Sequence, residues 1–106
     1  SPYSSTYVAT KDAMLGYTKS IASEWGRHGI TCNAVCPGYV QTAMGVQEDK
    51  VDDYMRRVLE KTPTKSVARP EELAEMNYFL ITQPYLNGSV NVMDGGITCH
   101  VGIMEV

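Results

Sequence analysis

The chain is predicted to be an α/β protein with a parallel sheet, on three observations. Helix-period stretches alternate with short apolar runs in the order helix, strand, helix, helix, strand. The run at 30–36 (Ile-Thr-Cys-Asn-Ala-Val-Cys) is rich in β-branched residues and lacks the alternation of a strand with one wet face. Pro-Gly, Asn-Gly and Gly-Gly steps fall where these elements end.

The first helix is expected from Ser1, as N-cap with Pro2 at the first helical position, to His28. Met14, Leu15, Thr18, Ile21, Ala22 and Trp25 form one stripe at spacings of three and four. Arg27 and His28 suit the negative end of the helix dipole, and Gly29 then Ile30 suit a left-handed cap with its apolar contact. The strand at 30–36 follows and stops at Pro37-Gly38.

A second helix is expected over 48–61, with Val51, Tyr54, Met55, Val58 and Leu59 on one side and the i,i+4 pairs Asp52/Arg56 and Asp53/Arg57 on the other. Pro63 closes it. Pro70, with Glu71 and Glu72 in the first turn, opens a third helix to about Thr82. Asn87-Gly88 is a turn, residues 89–93 a short strand, and Asp94-Gly95-Gly96 a further turn. Strand, helical crossover and strand make a βαβ unit.

A two-stranded parallel sheet cannot bury both faces by itself. The expectation is therefore a natural polypeptide longer than these 106 residues, or several copies that cover one another. The length and 43% hydrophobic content allow one small domain. Nine Lys+Arg against twelve Asp+Glu give a net charge of -3, which disfavours nucleic acid as a partner. No apolar run approaches the roughly 20 residues of a membrane span, and the first residues lack the pattern of a leader peptide. Cys32, Cys36 and Cys99 are too few for a disulfide scaffold, so a reducing, cytoplasmic setting is expected. Cys32 and Cys36, about 13 Å apart along a strand, cannot share a zinc ion, and Cys99-His100 lacks convergent partners, so no metal site is expected.

The chemistry is expected at Tyr7 and Lys11, four apart and hence on one face of the first helix. A phenol near pKa 10 is a poor base, but an ammonium about 6 Å away at an effective dielectric near 20 contributes about 2.8 kcal/mol, or roughly two pKa units. Such a phenol can carry the proton of an alcohol as hydride departs. A packed aromatic beside a solvated lysine fits the same two residues.

Context sharpens the choice. Tyr7-Val8-Ala9-Thr10-Lys11 resembles the active-site segment of the short-chain dehydrogenases/reductases, and the similarity continues in order along the chain. Thr18-Lys19-Ser20 and Ala22-Ser23-Glu24 resemble the helix that follows. The stretch from Ile30 through Pro37-Gly38 is similar to the family's next strand and turn. Arg69-Pro70-Glu71-Glu72-Leu73-Ala74 resembles its last crossover helix, and Asn87-Gly88 through Asp94-Gly95-Gly96 its final strand.

The resemblance implies the C-terminal part of a doubly wound parallel-sheet Rossmann fold and interconversion of a secondary alcohol and a ketone with NAD or NADP. It makes Tyr7 the general acid/base and Lys11 the residue that binds the nicotinamide ribose and lowers the tyrosine pKa. It places Pro37, Gly38, Val40 and Thr42 at the nicotinamide, with Val40 offering backbone groups and Thr42 a hydroxyl. The family's glycine-rich phosphate turn, its cofactor-selecting residue and its active-site serine belong ahead of Ser1, so the chain alone is expected to be inactive. Ser23-Glu24-Trp25-Gly26, Lys61-Thr62-Pro63 and Asp94-Gly95-Gly96-Ile97 look most like members acting on sugar acids and polyols, the gluconate 5-dehydrogenases among them. A 3-oxoacyl-carrier-protein reductase fits the same residues. Homo-dimers or homo-tetramers are implied, and a non-catalytic truncated module that pairs through the first helix is the reading from another class.

Overall fold

A computed structural model describes residues 4–41 and 48–99, with side chains placed from 8 to 41 and from 53 to 99. Helix α1 spans Ser4–Trp25 and runs into a 3-10 turn, Gly26–His28. Strand β1 is Ala34–Pro37, α2 is Glu48–Lys61, α3 is Pro70–Thr82 and β2 is Val90–Met93, before a short 3-10 turn at Ile97–Cys99. The two strands are neighbours in a two-stranded sheet. Its first bond runs from the Ala34 N–H to the Ser89 carbonyl at 2.9 Å and a later one from the Gly38 N–H to the Met93 carbonyl at 3.0 Å. Both strands advance by the same amount between these bonds, so they are parallel. The element order is the one expected.

The chain divides into two compact units, Ser1–Val35 with Tyr78–Asn91 and Cys36–Asn77 with Val92–Val106. In the first, Thr18 and Ala22 on α1 and Leu80 on α3 are buried. Gly29 adopts φ 77° and its N–H bonds the Gly26 carbonyl at 2.9 Å, the left-handed stop that Gly-Ile predicts. The apolar stripe is only partly covered: Met14 and Trp25 stay exposed. Arg27 donates through Nε to Nε2 of His28 at 3.3 Å, beside the Trp25 ring.

The strand expected from residue 30 begins only at Ala34. Two asparagine side chains supply the reason, because they take over the backbone bonds that a ladder would make. The Cys32 N–H donates to Oδ1 of Asn87 at 2.9 Å, while Nδ2 of Asn87 donates to the Ala22 carbonyl at 2.9 Å. That carbonyl belongs to the last turns of α1, where helical partners run out. Oδ1 of Asn33 accepts from the Ser89 N–H and hydroxyl at 3.1 and 2.7 Å, and its Nδ2 donates to the Leu86 carbonyl at 3.1 Å.

Among the described residues of the second unit, Val58 and Thr62 are buried. The Thr62 hydroxyl donates to the Val58 carbonyl at 2.7 Å, so its polar atom is satisfied inside α2. Helix α2 has the bounds and the amphipathic character expected. The expected pair Asp53/Arg57 forms at 3.3 Å, and Arg56 bonds the other oxygen of the same carboxylate at 2.8 Å. Arg56 thus meets the i,i+3 carboxylate, and the side chain of Asp52 lies outside the described ones. At α3 the Glu72 carboxylate accepts from the backbone and guanidinium of Arg69 at 3.0 and 3.2 Å, a cap that closes the helix start. Among the described residues no helix is long and apolar enough to cross a membrane.

Candidate functional site

Tyr7 and Lys11 both lie on α1, one turn apart, as the spacing requires. The side chain of Tyr7 is outside the described ones. Lys11 is exposed on the same helix. Pro37 is the last residue of β1, where its missing N–H costs no ladder bond because the next bond is made by Gly38. Gly38 has no room for a side chain: a Cβ there would sit 2.9 Å from both Cα and Cβ of Asp94. Thr42 lies outside the described residues.

Val40 forms a parallel bridge with Ala68. The bonds of that bridge run from the Ala68 N–H to the Tyr39 carbonyl at 2.9 Å and from the Gln41 N–H to the Ala68 carbonyl at 2.8 Å. In extended backbone the residue between those two partners turns its own N–H and C=O to the opposite edge. Val40 therefore presents one donor and one acceptor side by side, away from Ala68.

Asp94, in the turn after β2, accepts three hydrogen bonds, more than any other carboxylate among the described residues of this unit. Its Oδ1 accepts from the Gly96 N–H at 2.8 Å, and its Oδ2 from the Thr98 hydroxyl at 2.6 Å and N–H at 3.2 Å. The Thr98 hydroxyl, then the Gly96 N–H, hold its pKa below the ordinary 3.8. Asp94 thus adds stability that is fully present above pH 3.8 and lost as pH falls through the lower folded value. Asp94→Asn is expected to flatten the acid limb of a stability profile followed by denaturant midpoint from neutral pH to about pH 2. An unchanged limb would rule that contribution out.

Two hollows lie within the second unit. One, of about 210 Å³, is lined by the polar side chains of Thr62, Thr64, Ser66, Glu72 and Asp94 together with apolar Val67, Ala68 and Met93. Its carboxylates are already engaged by Arg69, Gly96 and Thr98. The other, of about 260 Å³, is lined by Tyr39, Tyr54, Arg57, Val58, Lys61 and Ile97. The rings of Tyr39 and Tyr54 meet edge to face at 5.8 Å. The hydrogen-bonding phenol of Tyr39, with some desolvation, raises the pKa of Tyr54 above 10.0, so this hydroxyl stays neutral. Sequence reasoning placed Tyr54 on the apolar side of α2 and passed over the hollow. The spacing of Tyr54, Arg57, Val58 and Lys61 at three and four was a visible signal, whereas the arrival of Tyr39 from the loop after β1 was not.

A family model described as "Enoyl-(Acyl carrier protein) reductase" matches residues 1–98. The chain is 37% identical over 105 residues to the oxidoreductase UcpA of Escherichia coli, covering 92% of this chain and 40% of that protein. It is 36% identical over 94 residues to the gluconate 5-dehydrogenase of Gluconobacter oxydans, covering 87% and 37%. Among solved structures, a short-chain dehydrogenase/reductase of unknown function from Caenorhabditis elegans, determined with cofactor, superposes with a TM-score of 0.81 at 29% identity, covering 94% of this chain and 41% of that one. The chain thus spans about two-fifths of the length of the relatives it matches. The chain belongs to the short-chain dehydrogenase/reductase family.

Proposed function

We propose that the natural polypeptide containing these residues is an NAD- or NADP-dependent oxidoreductase that interconverts a secondary alcohol and a ketone, with a sugar acid or polyol as substrate. The observation that carries this reading is the pair Tyr7 and Lys11, one turn apart on α1, in a chain of this family. A nicotinamide dinucleotide, when bound, supplies the hydride acceptor or donor. The Tyr7 hydroxyl takes the alcohol proton in one direction and returns it in the other. The Lys11 ammonium favours the phenolate and holds the ribose hydroxyls.

The residues present suit such a group. A carboxamide has one donor and one acceptor side, which is the complement of what Val40 turns away from Ala68. A side chain on Gly38 would push Asp94 out of place, so glycine there keeps the turn after β1 packed against the turn after β2. Thr42 completes the proposed contacts with a hydroxyl. The C. elegans relative was solved with its cofactor, and the G. oxydans relative is named for gluconate, which supports both choices. The description of the matching family model keeps an acyl-carrier-protein substrate, as for a 3-oxoacyl-carrier-protein reductase, as the second reading.

The chain spans about two-fifths of its relatives' length; the glycine-rich half is proposed to lie ahead of Ser1, residues 1–106 alone are proposed to be inactive, and the active form is proposed to be a longer chain assembled as a homo-dimer or homo-tetramer in the cytoplasm. The test is to give that natural polypeptide secondary alcohols with NAD⁺ and with NADP⁺ and to follow the reduced dinucleotide. Turnover of gluconate or glucitol is the expected result. Absence of dinucleotide reduction with every alcohol would overturn the reading.

A further inference from the structure

The hollow between α2 and the loop after β1 differs in charge from the rest of the molecule. The chain as a whole carries more acidic than basic residues. Yet Arg57 and Lys61 both line this hollow and, among the described residues, no carboxylate does. Its remaining lining residues are Tyr39, Tyr54, Val58 and Ile97, so two cations stand among aromatic and aliphatic side chains.

Neither cation is spoken for by a strong partner. Arg57 stands 3.3 Å from Asp53, whose other oxygen is taken by Arg56 at 2.8 Å, and the Arg57 side chain is 64% exposed. An exposed contact of this kind contributes little, and it leaves most of the five guanidinium N–H donors unused. Lys61 makes no ion pair among the described residues. Tyr54 stays protonated, so its phenol adds no negative charge against an incoming anion.

We infer that Arg57 and Lys61 form a carboxylate-recognition site that gives this protein its preference for an acidic over a neutral polyol substrate. The inference rests on the oxidoreductase reading above and names the substrate class within it. Tyr39, which lines the hollow, is the chain neighbour of Val40, the proposed nicotinamide contact. A volume of about 260 Å³ is below the roughly 300–1,000 Å³ of a pocket that encloses a whole ligand, so the site holds one end of a substrate. A guanidinium and an ammonium, with two phenols beside them, are complementary to a carboxylate with a flanking hydroxyl.

The experiment uses the natural polypeptide and two six-carbon probes, D-gluconate and D-glucitol, which differ in the carboxylate. The readout is the ratio of kcat/KM for gluconate to that for glucitol, together with the KM of the dinucleotide. The wild type is expected to favour gluconate, and Arg57→Gln with Lys61→Gln is expected to lower the ratio by about tenfold per cation removed. Lys61→Glu lowers it further, and added salt lowers it in the wild type more than in the double variant. Both side chains project from an exposed face, and calorimetric titration of gluconate gives a second reading independent of turnover. A ratio unchanged within about twofold, or a wild type that favours glucitol, would overturn the inference while leaving the oxidoreductase reading intact. A rise in dinucleotide KM in place of the gluconate effect assigns the cations to a cofactor phosphate and also overturns it. Failure of both probes and every other alcohol overturns the underlying reading instead.

Discussion

Tyr7→Phe in the natural polypeptide containing these residues is expected to lower kcat by about 10²–10⁴-fold, the usual contribution of a positioned proton carrier. The substitution removes one oxygen and keeps the ring, so packing of α1 is preserved and the loss is confined to proton transfer. Dinucleotide affinity should stay within about threefold, because the proposed ribose contact belongs to Lys11. Lys11→Met should both lower kcat and raise the dinucleotide KM, since the same ammonium is assigned to the phenol and to the ribose. That split between the two variants distinguishes the roles. If Tyr7→Phe retained its kcat, the phenol would be a packing residue and another group would have to carry the proton.

The second large effect is one of stability. Asn87 joins three stretches of its unit: its Oδ1 takes the Cys32 N–H and its Nδ2 reaches the Ala22 carbonyl, both at 2.9 Å. Ala22 is buried, so the carbonyl above it is poorly placed to find water instead. Asn87→Ala removes two hydrogen bonds, one exposed at Cys32 and one part-buried at Ala22, at a cost of about 1–3 kcal/mol. Equilibrium unfolding in urea of the natural polypeptide gives the value directly. Asn87→Asp keeps the acceptor for Cys32 and loses only the donor, so its stability should fall between those of the wild type and the alanine variant. Equal stability of all three would mean that water substitutes for the amide at both ends.

The same residue explains where local reading of the chain stopped. A β-branched apolar run at 30–36 has the composition of a strand throughout. What shortens it to Ala34–Pro37 is competition from two side chains: Asn87 takes the Cys32 N–H, and Asn33 takes the Ser89 N–H and gives to the Leu86 carbonyl. Asn-Gly at 87–88 was legible as a turn, and Gly88 does adopt φ 76°. That its side chain would also cap α1 depends on a contact across 65 positions, which periodicity cannot report.

The helices were legible because their causes are local. Pro70 with Glu71 and Glu72 starts α3, the three-four spacing of Val58 with its apolar neighbours shapes α2, and Gly29 ends the first helical stretch. Tyr7 and Lys11 sit on one helix for the same reason: a period of 3.6 residues fixes their face whatever the surroundings. Spacing could not decide how loops fold back. The bridge of Val40 to Ala68, the closeness of Gly38 to Asp94 and the meeting of Tyr39 with Tyr54 above Arg57 and Lys61 all join residues from separate elements. By itself the sequence determined which faces its helices and strands present, since those follow from backbone geometry alone. Only the tertiary structure decided which of those faces meet, because that depends on long-range hydrogen bonds and packing that no local pattern encodes.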